Sequence, residues 1–412
     1  SMEKTRAFSI SREVVWESYL RVKANQGSYG VDEISIEEFE KDLKNNLYKL
    51  WARMSSGSYM PPPVKLVEIP KKTGGKRPLG IPTVSDRIAQ GAVKLEIEKL
   101  VEPVFVTDSY GYRKGKSALD AVGKCRERCW SYDYVLEIDI KGFFDNISHE
   151  LLMKAVMKHT QTKWHLLYIR RWLTADVQYK DGSRVKRTKG TPQGAVISPV
   201  LANLFLHYCM DKWMIQNFPQ CPFERYADDA VIHCKSEAEA KELKVRLEKR
   251  MEECELELHP DKTRIVYCQD CNRSKEYEHV SFDFLGYGFQ PRPAKNYKNE
   301  YFIGFTPAVS KKSCKSIMDK VRNCKSLKMS QGSLKDIAIE LNPKLQGWIN
   351  YYGKYCKSKL NQLLYLVDLR IARWARRKYK RFKGSITAAI FWVTNLRKRV
   401  PNLFAHWRNF LS

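Results

Sequence analysis

Two adjacent carboxylates, Asp228 and Asp229, stand in the tetrapeptide Tyr226-Ala227-Asp228-Asp229 between two runs with the composition of β-strands. At a purely structural hairpin turn, neighbouring like charges repel each other, and Asn-Gly or Asp-Gly would be the expected pair. The arrangement makes sense if the two carboxylates hold divalent metal ions. An isolated acidic pair is commonly a solvated turn, so this interpretation depends on the residues that accompany it.

A third carboxylate, Asp139, lies near the end of another strand-like run, residues 134–140. Mg²⁺ prefers hard oxygen ligands and usually binds one or two carboxylates together with substrate phosphates. Two such ions about 4 Å apart can stabilise both the attacking and the leaving oxygen of an in-line phosphoryl transfer. The three carboxylates therefore predict polymerase chemistry.

Nine segments in order resemble the reverse transcriptases, and among them the group II intron reverse transcriptase/maturases. The resemblance extends from about Asn25 to the C-terminus. The segments are Asn25–Asp32, IPKKTGGKRPLGIPTVSDRIAQ (69–90), SYGYRKGKSALDA (109–121), EIDIKGFFDNISHELL (137–152), KGTPQGAVISPVLANLFLHYCMD (189–211), RYADDAVI (225–232), LELHPDKTRIVYC (256–268), FDFLGYGF (282–289) and LQGWINYY (345–352).

The resemblance implies an RNA-directed DNA polymerase with an α+β, right-hand fold. Its fingers and palm would combine an antiparallel sheet with helices in a split βαβ arrangement, and an α-helical thumb/maturase domain would follow. The implied domains are an N-terminal extension with the start of the fingers (1–60), fingers and palm (61–305) and a basic thumb/maturase domain (306–412).

The resemblance also implies the ligands of the reaction. Asp139, Asp228 and Asp229 would be the catalytic, metal-binding carboxylates, with Asp229 in a supporting role and the Ile140 carbonyl as a further ligand. The cofactor would be two Mg²⁺ ions, with Mn²⁺ as a substitute. The residues implied to bind the incoming dNTP are Lys71, Lys76, Arg77, Phe143, Phe144, Gln193 and Gly194. Lys76 and Arg77 would contact the triphosphate, and Lys71 and Lys72 would lie behind them on the same hairpin.

Within that set, Phe144 is implied to pack under the sugar and exclude a 2′-hydroxyl, whereas Phe143 is more typical of the core. The sequence reads Gly194-Ala195 where many relatives have two glycines, which adds one methyl group near the site. Without the resemblance, Lys76 and Arg77 would be compatible with an ordinary solvated hairpin.

An RNA template and a DNA or RNA primer are the implied nucleic-acid partners, with a group II intron RNA as a further partner. Several candidates have a plain structural alternative: the Gln26–Val31 loop could be a simple turn, Lys262 and residues 286–288 could end strands, and Trp348 could belong to the core. The implied contacts are Gln26, Gly27, Arg113, Lys262, Gly286, Tyr287, Trp348, Asn350, Arg373, Arg376 and Arg377.

Charge is distributed unevenly along the 412 residues. Residues 311–412 contain 24 Lys and Arg against 4 Asp and Glu, a net charge of +20 out of +27 for the whole chain. A basic domain of this kind favours nucleic acid as its partner over a membrane surface, which would favour one amphipathic helix. An apolar stripe at helical spacing within it predicts core packing: Leu360, Leu363, Leu364, Val367, Ile371 and Trp374.

The remaining composition favours a folded protein of a reducing cytoplasm, and the resemblance implies that the cytoplasm is bacterial. No apolar run approaches the ~20 residues that span a bilayer. The 11 cysteines show no disulfide framework. Cys268 and Cys271, with His279 nearby, have zinc-ligand spacing, but no second pair follows, so a strand end is favoured over a zinc site.

Two other functions remain open at this point. The chain could be an RNA-binding splicing cofactor in which polymerisation is dispensable, or a free-standing relative recruited to host defence or DNA repair. The sequence ends at Ser412 without the DNA-binding and nuclease segments of related proteins, so we expect no cleavage of a DNA target. No oligomeric state is indicated.

Overall fold

The structure is a computed structural model that describes residues 7–71 and 75–409. The chain divides into two compact units. The first unit comprises residues 1–121 and 136–264, and the second comprises residues 122–135 and 265–412. The structure mixes helices and sheets, as the predicted α+β class requires. Among the helices of the described residues, none combines the length and the apolar content needed to cross a membrane.

The sequence pattern of residues 8–54 is helical, and the first unit does begin with helices. Ser11 and Ser35 cap the first two helices by accepting hydrogen bonds from backbone N–H groups, which would otherwise lack partners. Thr83 caps the long helix that follows the first hairpin. These helices are α1 (Arg12–Asn25), α2 (Ile36–Glu40), α3 (Leu43–Ser56) and α4 (Val84–Val101).

A four-stranded sheet in this unit carries the basic hairpin. Strands β1 (Val64–Pro70) and β2 (Lys76–Ile81) are antiparallel, with Pro70 opposite Lys76. The four-stranded sheet is completed by two short strands, β4 (Val177–Gln178) and β5 (Arg184–Val185), in the order β2-β1-β4-β5. Between β2 and β4 the chain also forms the helix α5 (Ala118–Ser131) and the strand β3 (Tyr134–Ile138), and β3 belongs to the second sheet.

A second sheet holds the predicted acidic hairpin. Strands β6 (Phe223–Tyr226) and β7 (Asp229–Cys234) are antiparallel, and the order of the sheet includes β6-β7-β3. A five-residue π-helix, His207–Asp211, precedes the hairpin. The other helices of this unit are α6 (Phe143–Asn146), α7 (His149–Met157), α8 (Lys163–Leu173), α9 (Ser198–Leu206), α10 (Lys212–Asn217) and α11 (Glu237–Glu253).

Helix α11 tests the local interpretation of the sequence. The spacing of Ala240, Leu243, Leu247 and Met251 by threes and fours predicts one apolar helix face, and all four residues are buried. Ser236 caps the helix by accepting a hydrogen bond from the Glu239 N–H. The Glu239 carboxylate accepts from the N–H of Lys235 rather than from that of Ser236. The spacing of Ser236 and Glu239 predicts a reciprocal capping box, and only one of its two hydrogen bonds forms.

The second unit combines a three-stranded antiparallel sheet with basic helices. The three strands of the sheet are β9 (Phe282–Phe284), β10 (Tyr287–Lys295) and β11 (Tyr301–Val309), in the order β11-β10-β9. A further strand, β8 (Arg264–Tyr267), begins at the last residue of the first unit and is not part of this sheet. The apolar stripe predicted for residues 360–374 is buried. The helices are α12 (Lys311–Arg322), α13 (Lys325–Lys328), α14 (Leu334–Tyr352), α15 (Lys357–Lys378), α16 (Ile386–Arg399) and α17 (Ala405–Asn409).

Candidate active site

Asp228 and Asp229 lie at the turn of the β6–β7 hairpin. Tyr226 pairs with Asp229 across the two strands, so Ala227 and Asp228 form a two-residue turn. Ala227 has φ of 55°, the left-handed region that residues other than glycine seldom adopt. Such a conformation costs free energy and persists only where surrounding contacts hold it. The turn therefore presents its carboxylates in a fixed, strained geometry.

Asp139 follows β3 directly, and its backbone is tied to a neighbouring loop. The His259 N–H donates to the Asp139 carbonyl at 2.8 Å, and the Thr263 hydroxyl lies 3.4 Å from the same oxygen. The next residue, Ile140, is buried and bridges to Leu258. Because β3 lies beside β7 in the sheet, the end of β3 brings Asp139 to the acidic turn.

The three carboxylates interact electrostatically. Burial raises the pKa of Asp228 above its usual range, and the negative charge of Asp139 raises it further. Partial desolvation of its carboxyl group raises the pKa of Asp229 to about 7, although the residue as a whole is exposed, and Asp228, Asp139 and Glu137 raise it further. Partly desolvated like charges that act on one another favour a proton or a cation between them. Hard oxygen donors in this arrangement fit a divalent metal ion.

A buried arginine, which the sequence interpretation missed, holds the acidic turn. Arg225 is 0% exposed and forms a two-pronged ion pair with Asp211, both N···O distances being 2.7 Å. Its guanidinium also donates to the Ala227 carbonyl at 2.8 Å and to the Ser109 hydroxyl at 3.0 Å. One side chain therefore joins the turn to two distant segments. The only sequence signal was the position of an arginine directly before Tyr226.

Gly111 and Tyr112 also reach the acidic turn and were also missed. A Cβ atom at Gly111 would lie 2.6 Å from the Ala227 nitrogen, so this position has no room for a side chain. The Tyr112 ring centroid is 6.3 Å from that of Tyr226. Tyr112 is 55% exposed, but partial desolvation of its hydroxyl raises its pKa, and the charges of Asp228 and Arg77 both act on it. Tyr112 is therefore near both the acidic turn and the basic hairpin.

The loop that contains Gln193 joins the basic hairpin to Phe144. The Gly80 N–H of β2 donates to the Gln193 carbonyl at 2.7 Å, and the Thr191 N–H donates to the Phe144 carbonyl at 2.8 Å. Gly194, with φ of 98°, passes close to β2: a Cβ there would lie 2.8 Å from the Gly80 oxygen. The loop thus fixes Gln193 and Gly194 between two predicted dNTP-binding elements.

The two phenylalanines of α6 differ in exposure. Phe143 is 2% exposed and packs on Phe205, with ring centroids 6.3 Å apart. Its assignment to the dNTP-binding set is therefore corrected: the side chain belongs to the core and has no surface to offer a nucleotide. Phe144 is half-buried and keeps an accessible face.

The cations of the basic hairpin are exposed. Lys71, Lys76 and Arg77 all reach solvent, and Lys76 lies 3.9 Å from Glu68 across the hairpin. The predicted residue Lys72 lies outside the described residues. Exposed cations on a hairpin tied to the Gln193 loop remain available to bind an anion.

The Gln26–Val31 loop is held by an arginine of α4. Arg87 donates to the carbonyls of Gln26 and Ser28. Gln26 and Gly27 are exposed, and Gly27 has φ of 114°. The loop therefore has a defined conformation with its polar groups at the surface.

Two predicted nucleic-acid contacts of the first unit have different outcomes. Lys262 is exposed in the loop that binds the Asp139 backbone. The Arg113 side chain is only 8% exposed, lies 2.9 Å from Glu102, and donates to the carbonyls of Val106 and Ser109. The assignment of Arg113 as a template or primer contact is corrected, because its guanidinium is used to fix the segment before Gly111.

The Gly286-Tyr287 turn is packed inside the second unit. The Gly286 carbonyl accepts from the Ser310 N–H at 3.0 Å and from the Ser313 hydroxyl at 2.9 Å. Tyr287 is 0% exposed, and its hydroxyl donates to the Tyr351 carbonyl. The assignment of the Tyr287 ring to nucleic-acid binding is corrected, since the ring is buried. Gly286 keeps partial exposure.

The remaining candidates lie on α14 and α15. Trp348 is half-buried rather than fully in the core, and Asn350 is exposed and accepts from the Gln346 amide at 2.8 Å. Arg373 and Arg376 are exposed, whereas Arg377 is exposed but also donates to the Leu327 carbonyl. Arg373 and Arg377 line a cavity of about 230 Å³ together with Arg322, Lys328 and Arg370.

Comparison with known families gives two matches. Residues 69–289, just over half of the chain, match the model of the reverse transcriptase (RNA-dependent DNA polymerase) family. Residues 314–390 match the group II intron, maturase-specific domain. The first match includes Asp139, Asp228 and Asp229.

Individual proteins show the same relationship. The chain is 32% identical over 221 residues to the group II intron-encoded protein LtrA of Lactococcus lactis subsp. cremoris, covering 51% of this chain and 35% of LtrA. It is 31% identical over 290 residues to protein YkfC of Escherichia coli (strain K12), covering 58% of this chain and 73% of YkfC. The chain thus spans about a third of LtrA and most of YkfC. It belongs to the reverse transcriptase family and carries a group II intron maturase-specific domain.

Proposed function

We propose that this protein is an RNA-directed DNA polymerase that adds dNTPs to the 3′-hydroxyl of a primer on an RNA template. The observation that carries the proposal is the convergence of Asp139 and the Asp228-Asp229 turn, whose charges act on one another. Membership of the reverse transcriptase family supports it.

Reverse transcriptases generally use divalent metal ions. Here Asp139 and Asp228 would be the principal ligands, assisted by Asp229 and the Ile140 carbonyl, and the ions would be two Mg²⁺ with Mn²⁺ as a substitute. When bound, such ions lower the pKa of the attacking hydroxyl and neutralise the leaving pyrophosphate. The raised pKa values of Asp228 and Asp229 support this choice, because desolvation first, and repulsion between the carboxylates second, disfavour their charged forms when no cation is bound.

The basic hairpin and the Gln193 loop would receive the incoming nucleotide. Arg77 and Lys76, with Lys71 behind them, would contact the triphosphate, since a planar guanidinium matches phosphate oxygens and an ammonium acts as a point charge. Phe144 would pack under the sugar and reject a 2′-hydroxyl sterically. Gln193 and Gly194 would lie along the nucleotide, and their carbonyl contact with β2 supports a fixed position.

Residues 61–305 would form fingers and palm, after an extension at 1–60, and residues 306–412 would form the thumb. The compact units divide the chain at 121/122, 135/136 and 264/265 and not at 305/306, so these functional boundaries stay a prediction. The nucleic-acid contacts that we retain are exposed or partly exposed side chains and turns: Gln26, Gly27, Lys262, Gly286, Trp348, Asn350, Arg373, Arg376 and Arg377.

A second function, binding of a group II intron RNA during splicing, is supported by the maturase-specific match at residues 314–390. The same region contains most of the net positive charge. Cations near half-buried aromatic side chains suit RNA, where phosphates and unstacked bases are both accessible. The relative LtrA is named as a group II intron-encoded protein. The two functions are compatible in one chain.

Primer extension tests the polymerase directly. The assay measures extension of a DNA primer on an RNA template with Mg²⁺ and dNTPs by the wild type, Asp228→Asn and Asp181→Asn. Asp181 is a matched control, because it is an exposed aspartate at a different hairpin, where it accepts from Ser183. We expect product from the wild type and the control and none from Asp228→Asn, with RNA binding retained by all three.

Extension by Asp228→Asn at the wild-type rate would refute the metal site. If the wild type extends nothing but binds RNA, the splicing function alone remains.

A further inference from the structure

Two cysteines and a glutamate converge at the base of the hairpin whose turn carries Asp228 and Asp229. Cys221 precedes β6, Cys234 ends β7, and Glu239 lies in the first turn of α11. The two Sγ atoms and a carboxylate oxygen all lie within 4.8 Å of one another. Both cysteines are buried, and Glu239 is half-buried. Three metal-binding atoms of two chemical types therefore share one place.

The local fold explains why these residues meet. The antiparallel pairing of the hairpin continues beyond the first residue of β6, because the His233 N–H of β7 donates to the carbonyl of Pro222, the residue before β6, at 2.8 Å. This contact brings Cys221 and Cys234 opposite each other. The chain then turns into α11, whose Ser236 cap brings Glu239 back over the end of the hairpin.

The carboxylate is oriented before any ligand arrives. One oxygen of Glu239 accepts from the Lys235 N–H at 3.0 Å, and the other accepts from the Gln220 side-chain amide at 3.2 Å. Each carboxylate oxygen can accept more than one contact, so a lone pair is left for a cation. Outer contacts of this kind fix the direction of a ligating group.

The dimensions fit one tetrahedral ion. Zinc binds thiolates at about 2.3 Å and carboxylates at about 2.0–2.2 Å, so neighbouring ligand atoms of a tetrahedral zinc ion are about 3.5–3.8 Å apart. The three atoms already lie within 4.8 Å of one another, so each pair must approach by at most about 1.3 Å, which rotation of the side chains can supply. Thiolate donors favour zinc over Mg²⁺, which prefers oxygen alone.

We propose that Cys221, Cys234 and Glu239 form a binding site for one Zn²⁺ ion, with water in the fourth position on the exposed side of Glu239. Binding displaces one proton from each thiol to the solvent, and the Zn²⁺ ion forms two bonds to thiolate sulfur and one to carboxylate oxygen. The affinity for zinc therefore rises with pH. The ion would join both strands of the hairpin to α11.

This site is chemically distinct from the proposed polymerase centre, whose side-chain ligands are all carboxylates. A probe that reports sulfur ligation therefore reads the zinc site alone. The proposal does not depend on polymerase activity, and a protein that extends no primer could still bind the ion.

Cobalt titration of the full chain in excess Mg²⁺ tests the proposal. Co²⁺ replaces zinc in tetrahedral sites, and bonding to thiolates gives a charge-transfer absorption band that oxygen ligands do not give. We expect the band to saturate at one Co²⁺ per chain and to disappear when Zn²⁺ is added. Cys221→Ser and Cys234→Ser should each weaken the band, and the double variant should abolish it. Glu239→Gln should raise the Co²⁺ concentration at half-saturation about tenfold or more.

The matched control is the double variant Cys268→Ser/Cys271→Ser, which removes the pair with zinc-ligand spacing in the second unit. It should keep the band. Absence of a thiolate band in the wild type, its persistence without Cys221 and Cys234, or its loss in the control would overturn the proposal. If the serine variants do not fold, as judged by circular dichroism, the Glu239→Gln variant decides the question. An unchanged Co²⁺ concentration at half-saturation in that variant would exclude Glu239 as a ligand and overturn the proposal.

Discussion

Replacement of Asp211 by Asn tests how the acidic turn is held. The change keeps the shape of the side chain but removes the negative charge that faces the fully buried Arg225. One amide oxygen also replaces two carboxylate oxygens, each of which is 2.7 Å from a guanidinium nitrogen. The guanidinium would then lie in the core without a countercharge.

The expected cost is large. Removal of one partner from a buried ion pair lowers the free energy of unfolding by about 3–5 kcal/mol. An exposed pair contributes only about 0–1 kcal/mol. The control is Glu150→Gln, which breaks the exposed Glu150–Lys154 pair at 3.4 Å on α7.

Urea unfolding followed by circular dichroism measures the difference between the two variants. Asp211→Asn should have a much lower midpoint than Glu150→Gln, which should unfold like the wild type. Asp211→Asn should also extend primers more slowly under conditions where it is still folded, because Arg225 donates to the Ala227 carbonyl of the acidic turn. Equal midpoints for the two variants would refute the argument that the buried pair holds this hairpin.

Three other changes test the nucleotide site. Gly111→Ala should reduce kcat with little change in RNA binding, because its Cβ would lie 2.6 Å from the Ala227 nitrogen; an unchanged kcat would count against the close approach. Arg77→Ala should raise the KM for dNTP about 10- to 100-fold. This is the effect expected from the loss of a charge-assisted hydrogen bond of about 1.5–3 kcal/mol. The control is Arg184→Ala on the exposed strand β5, which should leave the KM for dNTP unchanged. Phe144→Ala should increase the incorporation of ribonucleotides relative to dNTPs, and an unaltered ratio would contradict the steric gate.

Local patterns in the sequence predicted much of the fold. The acidic turn between two strands, the apolar face of α11 and the buried stripe of α15 follow from side-chain periodicity and turn chemistry, which involve residues a few positions apart. The ordered motifs also predicted the family. These features are fixed by short-range chemistry, so a single sequence is enough to recognise them.

Tertiary structure decided which of the candidate side chains are accessible. Phe143, Arg113 and Tyr287 have the residue types of ligand contacts, yet the first and last are buried in the core and Arg113 binds carbonyl oxygens of its own segment. Burial depends on the packing of distant elements, so periodicity around each residue could not predict it.

The same reason explains the functional residues that the sequence did not reveal. Arg225 contacts Ser109, 116 positions away, and Gly111 touches Ala227 at a similar separation. The sequence by itself predicted which residues bind metal and nucleotide, and that assignment stays a prediction. Only the tertiary structure showed what holds them in place, because a buried ion pair and a close backbone approach exist only after distant segments have packed together.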